Sequence, residues 1–169
     1  WIVVDTPAGG PAFRNRFVKT RLRQTIDGPF LYLDCDLLVR GDLGELFTLD
    51  ADVAGAANHS RPAVDEQIWR TDARILEAMG WETRQDVYVN GGVMFCNDTP
   101  GARRLCSDWH LRWLESSRKL AGHQDQPALN AALQATQPRL VVIPPRFNAQ
   151  FRYTVGTVSD AVVWHYYSS

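Results

Sequence analysis

Short apolar runs alternate with segments of helical periodicity along the chain, and this alternation limits the possible folds more than any other feature of the sequence. Strands that alternate with helices are typical of α/β proteins with a largely parallel central sheet flanked by helices. We therefore expect an α/β fold, with residues 1–169 as a single domain. The predicted strands are 1–4, 30–33, 53–57, 87–89, 93–96, 140–143 and 161–164. The predicted helices are 13–26, 64–80, 102–120 and 126–135, with a short one at 42–47.

Composition and charge limit the classes of partner. Of the 169 residues, 45% are hydrophobic and 22% are charged, which is typical of a globular domain with a substantial core. The net charge of −1 gives no electrostatic basis for binding nucleic acid or an anionic membrane, so we expect no nucleic-acid partner. No apolar run approaches the roughly 20 residues that a transmembrane helix needs, so we expect no such segment.

The cysteines and the first residues suggest where the chain works and how it begins. Cys35, Cys96 and Cys106 are widely spaced and form no metal-binding pair, which predicts free thiols and a reducing compartment. We expect the cytoplasm, with peripheral attachment to a membrane as an alternative. The sequence opens with Trp1 inside an apolar run and has no basic signal region, so we expect the domain to lack its N-terminal part and allow for a C-terminal truncation as well.

Two carboxylates follow one predicted strand directly. Asp34 and Asp36 end the apolar run Phe30–Leu33, which has the pattern of a strand buried on both faces. The period of two in a strand aims both side chains to one side, and open α/β sheets bind ligands at the carboxyl ends of their strands. Two hard carboxylates there suit Mg²⁺ or Mn²⁺, often shared with phosphate oxygens. A polar strand terminus with capping aspartates is the alternative.

Three further segments follow this Asp-Cys-Asp motif in a recognisable order. With 33–36 ahead of them, the segments 89–97, 124–130 and 164–167 resemble the retaining, metal-dependent glycosyltransferases of family eight. The resemblance runs from about Phe13 to the C-terminus and implies the GT-A fold. It also implies transfer of a hexosyl group from a nucleoside diphosphate sugar, a UDP-sugar, to an acceptor hydroxyl with retention. The acceptor would be a saccharide, a lipid-linked group or a protein.

The resemblance assigns a metal site. Asp34 and Asp36 match the DxD motif, which holds Mn²⁺ (or Mg²⁺) and through it the diphosphate of the donor, and His165 matches the third protein ligand. A neutral imidazole beside two carboxylates is a reasonable ligand set for Mn²⁺. The alternative for His165 is a hydrogen-bonded histidine at the end of a strand.

The resemblance also assigns residues to the donor sugar. Asn90, Gly91 and Gly92 match a turn beside the sugar, where glycines allow close approach of the backbone and an amide can bind hydroxyls. A tight turn or bulge between two strands would explain the same residues. Asp125 and Gln126 match the catalytic pair near the anomeric carbon: the first would bind sugar hydroxyls, and the second would act as nucleophile or transition-state stabiliser. A helix N-cap is the alternative for Asp125.

Less specific matches complete the predicted donor site. Lys19 lies where the family places a cation near the donor phosphate or ribose, with Arg16 and Arg21 as alternatives. Asn58 and His59 fall where the family contacts the sugar or the acceptor. The segment 146–148 also resembles the family and is expected to be structural.

Two other functions compete with this interpretation. Residues 33–36 also resemble the nucleophile motif of haloacid-dehalogenase-type phosphatases, but Leu38 stands where that family has Thr or Val. The third possibility is a sugar-nucleotide-binding remnant without activity. It is suggested by the expected lack of the domain's first strand. Pro127, which replaces a frequent second acid, and the lack of the family's distal Lys-Pro-Trp clamp are further departures from the family pattern.

Overall fold

A computed structural model of the chain describes residues 2–61, 63–154 and 158–166, and these form two sheets with helices packed around them. The strands are β1 (Phe30–Leu33), β2 (Leu37–Val39), β3 (Val53–Ala57), β4 (Val89–Cys96), β5 (Leu140–Val142), β6 (Ala149–Gln150) and β7 (Val163–His165). The α-helices are α1 (Pro11–Thr20), α2 (Leu22–Thr25), α3 (Val64–Gln67), α4 (Arg70–Met79), α5 (Pro100–Leu120), α6 (Gln126–Thr136) and α7 (Phe151–Thr154). Among the helices described, none combines the length and the apolar character that crossing a bilayer requires.

The larger sheet has the strand order β1-β4-β3-β5. Strand β4 pairs antiparallel with both β1 and β3, whereas β3 and β5 are parallel. Strands β1, β3 and β5 therefore run in one direction, and β4 runs in the other. The α/β class is confirmed, but the expected largely parallel pairing is wrong, because the one reversed strand lies between two of the others and makes both of those pairs antiparallel.

The smaller sheet joins the Asp-Cys-Asp segment to the far end of the chain. Its order is β2-β7-β6, with β7 antiparallel to β2 and parallel to β6. Leu37 pairs with His165 in this register, and the carbonyl of Asp36 accepts a hydrogen bond from the Tyr166 backbone N–H at 2.8 Å. Because β2 follows the two aspartates directly, this pairing brings them beside the histidine.

Strand β4 is continuous through Asn90, Gly91 and Gly92, so the predicted break between two strands is wrong. The pairing with β3 jumps from Gly55 opposite Met94 to Ala57 opposite Val89, which makes the segment a bulge on that side. The glycines do not end the strand because the β1 side stays bonded: the carbonyl of Gly92 accepts from the Asp34 N–H at 2.9 Å.

Three other predicted elements differ. The predicted helix 64–80 is divided into α3 and α4, because the backbones of Ile68 and Trp69 are extended (ψ 117° and 148°). Residues 2–4 form no strand, and Ile2 and Val3 are 61% and 92% exposed; Trp1 lies outside the described residues. The run is apolar, but among the described strands none pairs with it, and an unpaired segment gains nothing from extended geometry. The predicted helix 13–26 is divided into α1 and α2 at Arg21, whose backbone leaves helical geometry (φ −101°, ψ 2°).

Strand β4 separates two apolar cores because its side chains alternate between the faces of the sheet. Met94 packs into the core beneath α5 and α6, with Trp113 and Leu129. Phe95 packs into the opposite core, with Leu46 and Phe147. The candidate site lies at the end of β1, where the bulge of β4, the start of α6 and the end of β7 meet.

Candidate functional site

Three predicted ligands come together in space. Asp34, Asp36 and His165 each place one ligand atom so that all three atoms lie within 4.8 Å of one another. The aspartates occupy the turn between β1 and β2, and the histidine ends β7; Oδ1 of Asp36 lies 3.4 Å from Nε2 of His165. Two carboxylates and an imidazole on one small surface fit Mn²⁺ or Mg²⁺ by the chemistry of the donor set.

The imidazole of His165 is oriented by an amide behind it. Its Nδ1 lies 2.8 Å from Oδ1 of Asn148, whose Nδ2 donates to Oδ1 of Asn90 at 2.9 Å. Because the Asn148 oxygen faces the ring, Nδ1 carries the proton and the lone pair lies on Nε2, toward Asp36. Burial lowers the pKa of His165, against the opposing effect of the aspartates, so the neutral, metal-binding form is favoured. Segment 146–148, expected to be structural, therefore also supports the site.

Gly92 makes room for that imidazole. A Cβ at this position would overlap with Cε1 of His165 and would lie 2.9 Å from its Nδ1. A Cβ at Gly91 would be only in ordinary contact, 3.4 Å from Leu129 Cδ2. The glycine at position 92 is thus required by the ring behind it.

Helix α1 brings two cations to the site. Lys19 is buried, and its Nζ lies 3.2 Å from Oδ1 of Asp34 and 3.2 Å from Oδ2 of Asp125. Nε of Arg16 lies 2.9 Å from Oδ1 of Asp125. The hydroxyl of Tyr32 donates to the Asp34 carboxylate, and burial and that negative charge raise the pKa of Tyr32. Lys19 therefore links a predicted metal ligand to a predicted sugar ligand.

Asp125 and Gln126 face the same space at the start of α6. Asp125 occupies the N-cap position, but its side chain makes no capping hydrogen bond, so the capping alternative is wrong. The Gln126 Oε1 accepts from the Gly91 N–H at 3.3 Å, and its Nε2 lies 3.5 Å from Oδ2 of Asp72. The two residues thus present a carboxylate and an oriented amide beside the β4 bulge.

The remaining predicted residues divide between the site and its surroundings. Asn58 is buried, and its Oδ1 accepts from Nδ2 of Asn90 at 3.0 Å. His59 lies behind it, with its ring edge-on to Trp69 at 5.0 Å between centroids. The Arg21 guanidinium lies over the ring of Phe17 at 5.1 Å, outside the site.

A cavity of about 390 Å³ unites these side chains. With the single exception of His59, all the residues predicted for the metal and the donor line it, as does Arg16. They are Lys19, Asp34, Asp36, Asn58, Asn90, Gly91, Gly92, Asp125, Gln126 and His165.

The sequence interpretation missed one acidic residue of this cavity. Asp72 lies in the first turn of α4, is 6% exposed, and accepts a hydrogen bond from the Tyr88 hydroxyl at 3.0 Å. Burial, aided by the charge of Asp125, raises the pKa of Asp72 to about 6. Only a weak pattern in the sequence marks Asp72 as a buried residue: it lies four residues before Leu76, on the buried face of an amphipathic helix.

Comparisons with known proteins bear on the family and the fold. The sequence profile of Glycosyl transferase family 8 matches residues 28–168. Similar solved structures include mouse xyloside xylosyltransferase 1 in its apo form (17% identity, TM-score 0.57, 94% of this chain and 66% of that one). They also include galactosyltransferase LgtC with donor and acceptor sugar analogs (18% identity, TM-score 0.61, 90% of this chain and 58% of that one). A third is the glycosyltransferase GlyE of Streptococcus pneumoniae TIGR4 (20% identity, TM-score 0.57, 98% of this chain and 40% of that one). A search of curated proteins finds no significant match.

The shared architecture defines the class of protein: an α/β protein with the GT-A fold of glycosyltransferases. Since the profile match covers most of its length, the chain belongs to Glycosyl transferase family 8. The resemblance predicted from the four motifs is confirmed, and the phosphatase alternative is wrong. The chain spans 66% and 58% of the first two of these solved structures.

Proposed function

We propose that this chain transfers a hexosyl group from a nucleoside diphosphate sugar, a UDP-sugar, to an acceptor hydroxyl with retention at the anomeric carbon. Residues 1–169 would act as a single catalytic domain. The acceptor would be a saccharide, a lipid-linked group or a protein. The observation that carries the proposal is the cluster of Asp34, Asp36 and His165 in one cavity with Asp125 and Gln126. A nucleoside diphosphate sugar needs a metal site for its diphosphate and, next to it, polar side chains for its sugar.

Asp34, Asp36 and His165 would hold Mn²⁺ (or Mg²⁺). When bound, the ion supplies Lewis-acid stabilisation to the leaving diphosphate, whose negative charge grows as the glycosidic bond breaks. Lys19 adds a fixed positive charge beside Asp34, on the side of Asp125. Its burial holds that charge in place, so little reorganisation is needed as the leaving group forms.

Asp125 and the bulge of β4 would hold the transferred sugar. The Asp125 carboxylate is fixed by Arg16 and Lys19 and can accept hydrogen bonds from sugar hydroxyls. The bulge presents backbone at Gly91, where no side chain keeps a sugar away. Asn90 supports this backbone, since its Oδ1 accepts from the Gly92 N–H at 2.9 Å.

Retention is proposed to proceed by front-face attack. A double displacement needs an acidic nucleophile close to the anomeric carbon and a second acid placed to assist. Gln126 is uncharged, and Asp125 is held in two ion pairs, which disfavours it as a nucleophile. The leaving phosphate would then take the proton of the acceptor hydroxyl, while Gln126 stabilises the positive charge that develops on the sugar.

The experiment is release of UDP from UDP-glucose and UDP-galactose, with and without Mn²⁺. We expect metal-dependent turnover by the wild type, loss of turnover in Asp36→Ala, and wild-type turnover in Asp27→Ala, whose side chain is exposed on the α2–β1 turn. Turnover without metal, or full activity in Asp36→Ala, would contradict the mechanism. Calorimetry with UDP and Mn²⁺ tests the remaining alternative, because an inactive remnant would bind both and release no product.

A further inference from the structure

A buried carboxylate in the cavity has no part in the function proposed so far. Asp72 lines the same cavity as Asp125 and Gln126 but comes from a different element, the first turn of α4. It lies outside the motifs that carry the family resemblance. Helix α4 packs against α6, so the carboxylate is held beside the start of that helix.

Among the described residues, the hydrogen bonds of Asp72 are all on one oxygen. Its Oδ2 accepts from the Tyr88 hydroxyl at 3.0 Å and lies 3.5 Å from Nε2 of Gln126. Neither of these contacts uses Oδ1. The side chain is therefore fixed through one oxygen, while the other remains an acceptor for a molecule in the cavity.

Without a ligand, the surroundings of Asp72 disfavour its ionised carboxylate. No cation among the described residues forms an ion pair with Asp72, and the nearby charge of Asp125 is repulsive. Burial raises its pKa to about 6, so the carboxyl is still ionised at neutral pH. A buried, ionised carboxylate with one uncommitted oxygen in a cavity is more typical of a ligand site than of a packing role.

We propose that Asp72 binds a hydroxyl group of the transferred sugar through Oδ1, while its Oδ2 positions the amide of Gln126. This inference rests on the proposed function and names a further residue of the same site. The sugar would lie between two carboxylates, Asp125 on α6 and Asp72 on α4. Such a site suits a neutral hexose, whose hydroxyls donate to both, and it repels a sugar that carries its own carboxylate.

The test compares a nucleotide with and without its sugar. Calorimetry in Mn²⁺ measures the binding of UDP, UDP-glucose and UDP-galactose to the wild type, to Asp72→Asn and to Glu77→Gln, an exposed control on the same helix. In Asp72→Asn we expect affinity for at least one of the two UDP-hexoses to fall about 10- to 100-fold, as for the loss of a hydrogen bond to a charged group. Affinity for UDP should stay within about twofold, and the control should match the wild type.

Two results would overturn the inference: unchanged affinity of Asp72→Asn for both UDP-hexoses, or an equal loss of affinity for UDP, which would indicate a structural role. A wild type that binds neither UDP nor a UDP-hexose overturns the proposed function itself, and the inference with it. If Asp72→Asn does not fold, Asp72→Ser is measured with the same expectations, since it also removes the carboxylate from the cavity.

Discussion

At the scale of single residues, the candidate metal site depends on a side chain that does not touch the ion's position. Asn148 is fully buried and accepts the Nδ1 proton of His165, which fixes both the tautomer and the angle of the ring. Outer partners of this kind commonly change metal affinity when they are removed, because the ligand then has more than one orientation.

We predict that Asn148→Ala weakens Mn²⁺ binding about 10- to 100-fold without unfolding the chain. Asn148→Asp is the matched variant: it keeps an oxygen for Nδ1, loses the donor to Asn90 and adds a negative charge beside the ring, so it should retain more affinity for the cation than the alanine variant. Titration calorimetry with Mn²⁺ alone measures both. Wild-type affinity in Asn148→Ala would show that the ring needs no partner.

The carboxyl of Asp72 predicts a pH dependence of stability. Its pKa is raised from 3.8 to about 6 on folding, so the folded state binds this proton more tightly than the unfolded state. Stability is therefore lost as the pH rises from about 4 to about 6, and the cost persists above that range. Asp72→Asn removes the cost, and we expect it to be about 1 to 3 kcal/mol more stable than the wild type at pH 7.5. Urea unfolding at pH 7.5 and pH 4 should show the difference shrinking at the lower pH; a variant less stable at pH 7.5 contradicts the prediction.

At the scale of elements, β4 does most to build the site. It is buried along its whole length, separates the two cores, and has its bulge between the histidine and the start of α6. The bulge needs glycine for two different reasons: position 92 makes room for an imidazole, and position 91 presents backbone to the cavity.

These two glycines give a matched pair of variants. We predict that Gly92→Ala lowers Mn²⁺ affinity at least about 10-fold, because the new methyl group occupies the place of the His165 ring. Gly91→Ala meets only ordinary contacts and should bind Mn²⁺ nearly as well as the wild type. Metal titrations, with circular dichroism to check folding, distinguish them. Equal losses in both variants would mean that the bulge as a whole, not the space at position 92, controls the metal site.

At the scale of the whole molecule, the candidate metal ligands join distant parts of the chain. Asp34 and Asp36 lie between β1 and β2, and His165 ends β7, which is held to β2 by three residue pairs. An ion bound by all three would hold the smaller sheet against the larger one. Binding to the folded state alone stabilises it by mass action.

We therefore predict that Mn²⁺ at 100 times its dissociation constant raises the free energy of unfolding by about 2.7 kcal/mol. For a domain of this size that corresponds to a rise in Tm of roughly 5 to 10 °C. Differential scanning calorimetry should show the rise in the wild type and in Asp27→Ala, and no rise in Asp36→Ala. A wild-type Tm that does not respond to Mn²⁺ would mean that the cluster does not bind the ion.

The sequence predicts the local features well and the long-range ones less well. Apolar runs located β1, β3 and β5, but the direction of β4 depends on pairings across many residues that no local pattern encodes. The order of the motifs indicated the candidate site, and all but one of the residues predicted there line the cavity. Asp72 and Asn148 could not be assigned in the same way, because their roles arise from packing against α6 and β7 rather than from neighbours along the chain.

The hydrogen bonds behind His165 form a series that extends well beyond the candidate metal ligands. His165 donates to Asn148, Asn148 to Asn90, Asn90 to Asn58, and Asn58 to the backbone carbonyl of Gln67. Each amide donates an N–H to the next and accepts one from the group before it, and Oδ1 of Asn90 also accepts from the Gly92 N–H. The last acceptor is a carbonyl, which has no N–H to offer and cannot reverse its role. The tautomer of His165 is thus fixed by two backbone groups, the Gly92 N–H and the Gln67 carbonyl, neither of which can exchange its role as donor or acceptor.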